Sequence, residues 1–237
     1  MKQQSLNLKF QEHIYLQDMQ ACSFFEEIFA RCKNFIDGDG HSMILMGKED
    51  MAKSFFFYAL YNHLKKNNNC YFESIKRKSD LSFCEDLNGD IIFLDSYNSI
   101  YGSKNGEILL FKLFNESKQK NAKVLFNNSI HDEQIPNLKD LESRMSSSLL
   151  INFPILSDED KKIIILNFLK NRGLILSDQS IEFILSRYSR SLDNLIELYI
   201  KLDKISLVEK KNITIPLIKK TIDPVSYTHL TLPTIRS

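Results

Sequence analysis

The 237-residue chain predicts an α/β protein in two parts, a five-stranded parallel sheet with helices on both faces and then a small all-helical domain. Three observations carry that prediction. Short apolar runs of strand length alternate with runs of helical length up to Phe153, and such alternation builds a parallel sheet with crossover helices. After Pro154 the apolar period changes to 3.6 and stays there. Between the first apolar strand and its helix lies a loop that opens on Gly47 and closes on Lys53-Ser54.

In chain order, Leu6, Leu8 and Phe10 alternate with polar residues, a pattern that suits a small edge strand or a peptide docking into another protein's pocket. From Asp18 to Phe35 the residues Phe24, Phe25, Ile28, Phe29 and Cys32 recur at helical spacing, predicting an amphipathic helix that the loop Ile36 to His41 ends. Met43 to Met46 is the first strand, and the helix after Lys53-Ser54 runs into the Lys65 to Asn69 loop. Cys70 to Ser74 is the second strand, and residues 75 to 89 predict a short helix before the Asn88-Gly89 turn. Asp90 to Asp95, DIIFLD, is a buried strand ending on a carboxylate, and Glu107 to Lys118 is a helix with a broad apolar face. Lys123 to Asn127 and Leu149 to Phe153 complete the sheet.

In the helical part, Ser157 is placed as N-cap before an acidic first turn, Asp158 to Asp160, and the helix ends on Gly173. A second helix is capped by Ser177, a third starts near Leu192, and a short fourth carries Pro216 near its start. The last stretch, from Asp223, loses the helical period and shifts to Pro, Thr and Leu. It reads like translated adapter sequence and is set aside.

The motif chemistry lies at the first strand-to-helix turn. A P-loop needs Gly, four residues, Gly, Lys and Ser or Thr, so that backbone N–H groups surround phosphate, the Lys reaches the terminal phosphates and the hydroxyl ligates magnesium. Gly47, Lys53 and Ser54 keep that spacing, with Ala52 in place of the second Gly. Asp95, ending a strand that would lie beside the P-loop strand, is the candidate carboxylate for the magnesium.

A P-loop α/β domain with a helical lid is the plan of AAA+ proteins. The runs IPNLKDLESRM (Ile135 to Met145), INFPILSDEDKK and onward through the lid, and NITIPLIKK resemble the DnaA-related Hda family over most of residues 3 to 222. The resemblance divides the chain into a clamp-binding peptide (1–10), an AAA+ α/β domain (11–154), a helical lid (155–222) and the foreign tail (223–237). It implies a nucleotide site at Gly47, Lys53, Ser54 and Asp95 for ADP or ATP with magnesium, an arginine finger at Arg144, and a clamp-binding peptide anchored by Gln3, Leu6 and Leu8. The family's second strand-end acid falls on Ser96 and its lid sensor arginine on Asp193, with Arg190 one turn earlier. The strand-end sensor is Asn127 or Asn128.

The implied partners are DnaA and the sliding clamp, the β subunit of DNA polymerase III, with DNA reached only through the clamp. The implied role is a negative regulator of replication initiation that promotes hydrolysis of ATP held by DnaA, so that the chemistry happens in the partner. A divergent DnaA paralogue and an autonomous P-loop ATPase such as a helicase loader are the alternatives.

Composition sets outer bounds. Lys and Arg total 31 against 30 Asp and Glu, a net charge of +1, so no strong basic field marks nucleic acid as the main partner. Cys22, Cys32, Cys70 and Cys84 form no CxxC pair and read as reduced core thiols of a cytoplasmic protein. No apolar run reaches the roughly 18 residues of a membrane span, and the first ten residues lack the apolar centre of a secretion signal.

Overall fold

The computed structural model describes residues 14–47, 53–75, 89–96, 100–129, 136–173, 176–188, 192–209 and 212–222. Five strands, β1 (Ser42–Gly47), β2 (Cys70–Ser74), β3 (Ile91–Asp95), β4 (Lys123–Ser129) and β5 (Leu149–Asn152), form one sheet in the order β2-β3-β4-β1-β5. Every pairing is parallel, as the alternation of strand and helix requires. The predicted strands sit where the sequence placed them, to within a residue or two at their ends.

The two faces of the sheet follow from the period of two. Ile44, Ile92, Leu94, Val124 and Phe126 pack in one cluster with Leu110, Leu113, Phe114, Leu141 and Met145 of α3 (Lys104–Gln119) and α4 (Lys139–Ser146). The intervening residues look the other way, toward α2 (Lys53–Leu64). There Phe57 meets Phe93 edge-on with ring centroids 5.1 Å apart, and Tyr61 meets Phe93 at 5.4 Å. β3 is buried along its whole length, the expected state of a central strand covered on both faces. Asp95 and Asn127 therefore face α2 from the carboxyl ends of neighbouring strands, and they are register partners.

The first helix departs from the sequence expectation. Instead of running from Asp18, α1 spans Phe25–Asp37, and the preceding stretch is a 3-10 turn, Leu16–Asp18, followed by turns. The backbone here closes i→i+3 turns, Met19 N–H to Leu16, Cys22 N–H to Met19 and Phe25 N–H to Cys22, and two further donors go to side chains. Asp18 turns back to accept the N–H of Tyr15 at 3.1 Å, and Asp160 accepts the N–H of Ser23 at 3.2 Å. Met19 and Cys22 are still buried, so the apolar spacing that suggested a helix is satisfied by turns. The predicted helix within residues 75 to 89 falls largely on 76–88, outside the described residues. α4 appears where the sequence reading assigned no element.

Two compact units divide at Ile164 and Ile165. The second holds the end of α5 (Asp158–Lys170), α6 (Asp178–Arg187), α7 (Leu192–Glu209) and α8 (Ile215–Ile222). Its core is built from Phe168, Ile181, Ile184, Leu195, Ile196, Tyr199, Leu202 and Ile218. The helix ends carry the signals read from the sequence: Ser157 Oγ accepts the Asp160 N–H at 3.0 Å, Ser177 Oγ accepts the Ser180 N–H at 3.2 Å, and Gly173 has a positive φ of 67°. Among the described residues no helix is long and apolar enough to cross a membrane.

Candidate nucleotide site

The site assembles at the carboxyl end of the sheet, where three consequences of the fold meet. α2 begins at Lys53, so Lys53 and Ser54 occupy its first turn and share its field of unpaired N–H groups. β3 ends on Asp95, and β4 brings Asn127 beside it. β1 ends on Gly47, between β4 and β5.

The side chains form a continuous polar chain. Asn127 Nδ2 donates to Asp95 Oδ1 at 2.7 Å and to Ser54 Oγ at 3.1 Å, which employs both amide protons. The Tyr58 hydroxyl donates to Asp95 Oδ2 at 2.6 Å. Lys53 is 1% exposed, and its Nζ donates to the Gly47 carbonyl at 3.3 Å. Asp95 and Asn127 are likewise buried. The Asn127 Oδ1 is buried without a hydrogen-bond partner. Reversing the amide would set that oxygen against the Asp95 carboxylate, so the donor assignment stands on electrostatics.

Lys53, Ser54 and Asp95 of the P-loop set are thus brought together with Gly47. Of the two candidate strand-end sensors, Asn127 is the one whose side chain is seen in the cluster. Tyr58 was not anticipated. Its signal is nonetheless in the sequence, since it lies four residues after Ser54 and hence on the same helix face. Ser96, at the second acid position, is exposed and has a φ of 58°, in the left-handed region that costs a non-glycine residue strain.

The donor set suits an anion: a buried ammonium-bearing side chain and a helix N-terminus converge there. Magnesium would have to share its ligands there: Ser54 Oγ and both Asp95 oxygens, the oxygens a magnesium ion or its waters would use, each already accept one hydrogen bond from the protein.

Arg144 lies elsewhere, in the last turn of α4, half-buried, with Nη2 donating to Asn115 Oδ1 at 3.4 Å. Among the described residues no carboxylate pairs with it. Its helix is fastened at the other end by Glu107 of α3, whose buried carboxylate accepts the N–H of Gly102 at 2.9 Å and of Leu138 at 2.8 Å. Burial pushes the Glu107 pKa up, but backbone N–H groups of Gly102, Asn137 and Leu138 outweigh it and hold the carboxyl below the ordinary glutamate range.

Gln3, Leu6, Leu8 and Arg190 lie outside the described residues, as does the side chain of Asp193. Burial raises the thiol pKa of Cys22 and Cys32 to about 12 and of Cys70 to about 11, which keeps them unreactive. A separate cavity of about 230 Å³ lies between the 3-10 turn, α1 and α2, lined by Tyr15, Phe25, Phe29 and His63 among others. It reaches α2 at Ala59 and His63.

Comparison with known proteins adds three findings. Residues 158–222 match the family description "Hda, lid domain". A protein of Haemophilus influenzae, described only as uncharacterized, is 31% identical over 139 residues, which are 56% of this chain and 59% of that protein. The chain therefore spans less than two thirds of that relative. Among solved structures, domain III of the replication initiation protein DnaA from Thermotoga maritima superposes with a TM-score of 0.69 at 16% identity, covering 89% of this chain and 98% of that one. AMPPCP-bound DnaA from Aquifex aeolicus gives 0.62 at 18% identity, covering 83% and 66%. The structural likenesses show the α/β AAA+ fold, and the lid match makes residues 158–222 similar to the lid domain of the DnaA-related Hda family.

Proposed function

We propose that this protein is an adaptor regulating chromosomal replication initiation. It docks on the DNA-loaded sliding clamp through an amino-terminal peptide anchored by Gln3, Leu6 and Leu8. It then presents Arg144 to ATP bound by DnaA and promotes hydrolysis there. DNA is reached only through the clamp, and the protein works in the cytoplasm. Its own P-loop site, Gly47, Lys53, Ser54 and Asp95, holds a nucleotide, ADP in preference to ATP, as a structural ligand.

The observation that carries this reading is the state of the polar cluster. Asn127, which stands at the sensor position, spends both amide protons on Asp95 and Ser54, and the neighbouring acid position is Ser96. A group that must respond to a terminal phosphate and orient a water is not available in that arrangement, which favours an adaptor over an autonomous ATPase. The Hda-type lid supports the same branch. On Arg144, the terminal guanidinium donates to a neutral amide, Asn115 Oδ1, at long distance, and among the described residues no carboxylate pairs with it, so it retains donors for a partner's phosphates.

The test is a reconstituted assay with clamp, DNA and the cognate DnaA. Arg144→Ala should lower stimulation of DnaA-bound ATP hydrolysis by about 10³, the scale of an arginine finger supplied in trans. Undiminished stimulation by the variant would reduce Arg144 to a surface cation and remove the mechanism.

A further inference from the structure

In a P-loop protein, magnesium is held between a helix hydroxyl and a strand-end carboxylate. The corresponding pair here is Ser54 and Asp95, and the protein has already closed it. Asp95 is 7% exposed; Tyr58 Oη donates to its Oδ2 at 2.6 Å, and Asn127 Nδ2 donates to its Oδ1 at 2.7 Å. Ser54 Oγ accepts the other Asn127 amide proton at 3.1 Å. The Tyr58 ring is held from behind by Phe72 of β2, centroid to centroid 5.1 Å, and β2 pairs with β3, so the strand next to Asp95 also fixes the donor that caps it.

Magnesium demands an octahedral shell of oxygens and keeps several waters, each of which needs an acceptor of its own. Here the Tyr58 hydroxyl and the Asn127 amide already give Asp95 one proton donor on each oxygen, so a magnesium-bound water would compete with charge-assisted hydrogen bonds that the protein makes by itself. The hydroxyl supplies the hydrogen bond that a magnesium-bound water would otherwise donate to that carboxylate oxygen.

We propose that Tyr58 replaces the divalent cation in this site, so that a nucleoside diphosphate binds here without magnesium. The inference rests on the reading of this site as a nucleotide site. Among the described residues, positive charge for the phosphates then comes from Lys53 and the N-terminus of α2.

The experiment is calorimetric titration of the full chain with ADP, in excess magnesium and in EDTA, for the wild type and for Tyr58→Phe. The wild type should bind ADP no more tightly in magnesium than in EDTA. Tyr58→Phe frees Asp95 Oδ2 as an acceptor and should bind ADP at least about tenfold more tightly in magnesium than in EDTA. As a check that needs no variant, manganese added with ADP to the wild type should give no immobilised-ion signal by electron paramagnetic resonance. ADP binding by the wild type that requires a divalent cation, an immobilised manganese signal, or a folded Tyr58→Phe variant that binds ADP and stays indifferent to magnesium would each overturn the role given to Tyr58. Absence of ADP binding by both proteins in every condition would instead overturn the nucleotide-site reading, and this inference with it.

Discussion

Ser96 concentrates the argument at the scale of single residues. It follows Asp95 at the end of β3, where an AAA+ enzyme would have the acid that orients the attacking water, and it is exposed with a φ of 58°. A hydroxyl is no base at neutral pH, and Asn127 is already engaged by Ser54 and Asp95. Loss of a single transition-state or water-positioning group commonly costs about a hundredfold or more. The purified protein should therefore turn over ATP well below roughly 1 per second, the lower range of working enzymes. Phosphate release at or above that rate from the protein alone would favour the autonomous ATPase. The clustering of Ser54 with Asp95 was legible because Lys53-Ser54 and Asp95 carry fixed spacing and strand-end placement. The engagement of Tyr58 was not, because which donor meets Asp95 depends on the packing of α2 over β3, and a spacing rule places Tyr58 on a helix face without saying what that face meets.

At the scale of elements, the strands were readable for a physical reason. A run such as Ile91 to Leu94, buried on both faces, must be continuously apolar, and few other structures ask that of four residues. The stretch from Asp18 to Phe24 misled because burial of Met19 and Cys22 imitates helical spacing while the backbone closes i→i+3 turns and the Asp160 carboxylate takes the Ser23 N–H. α4 is short and rich in charge, and its stability comes from outside itself: Leu141 and Met145 enter the core, and Glu107 caps its start. Glu107→Gln should cost about 1.5–3 kcal/mol, the scale of a hydrogen bond to a charged group. The pH dependence has a definite sign. Because the folded-state pKa of Glu107 is depressed, its contribution is complete above the ordinary glutamate range and fades as pH falls through the depressed value. Urea unfolding of the two proteins should thus show a constant gap at neutral pH that narrows in acid. A gap independent of pH would mean that the charge of Glu107 does not hold α4.

For the whole molecule, the question is whether recruitment and action are separate devices. The proposed recruiting residues, Gln3, Leu6 and Leu8, precede the first described residue, Ile14, whereas Arg144 sits on α4, packed against α3. A peptide that inserts two leucines into an apolar pocket depends on few anchors, and each buried leucine contributes about 1.5–3 kcal/mol. Leu6→Ala combined with Leu8→Ala should therefore abolish measurable clamp binding in surface plasmon resonance. The same double variant, supplied at concentrations high enough to bypass recruitment, should still stimulate hydrolysis of DnaA-bound ATP, because α4 and its Glu107 latch are untouched. Arg144→Ala should behave in the opposite way, binding the clamp like the wild type and failing to stimulate at any concentration, since a missing transition-state charge is not restored by mass action. If instead the double leucine variant bound the clamp normally, the amino-terminal peptide would not be the anchor. If it bound poorly and also failed to stimulate at saturating concentration, docking and chemistry would be one coupled event, and the division of labour drawn from this fold would be wrong.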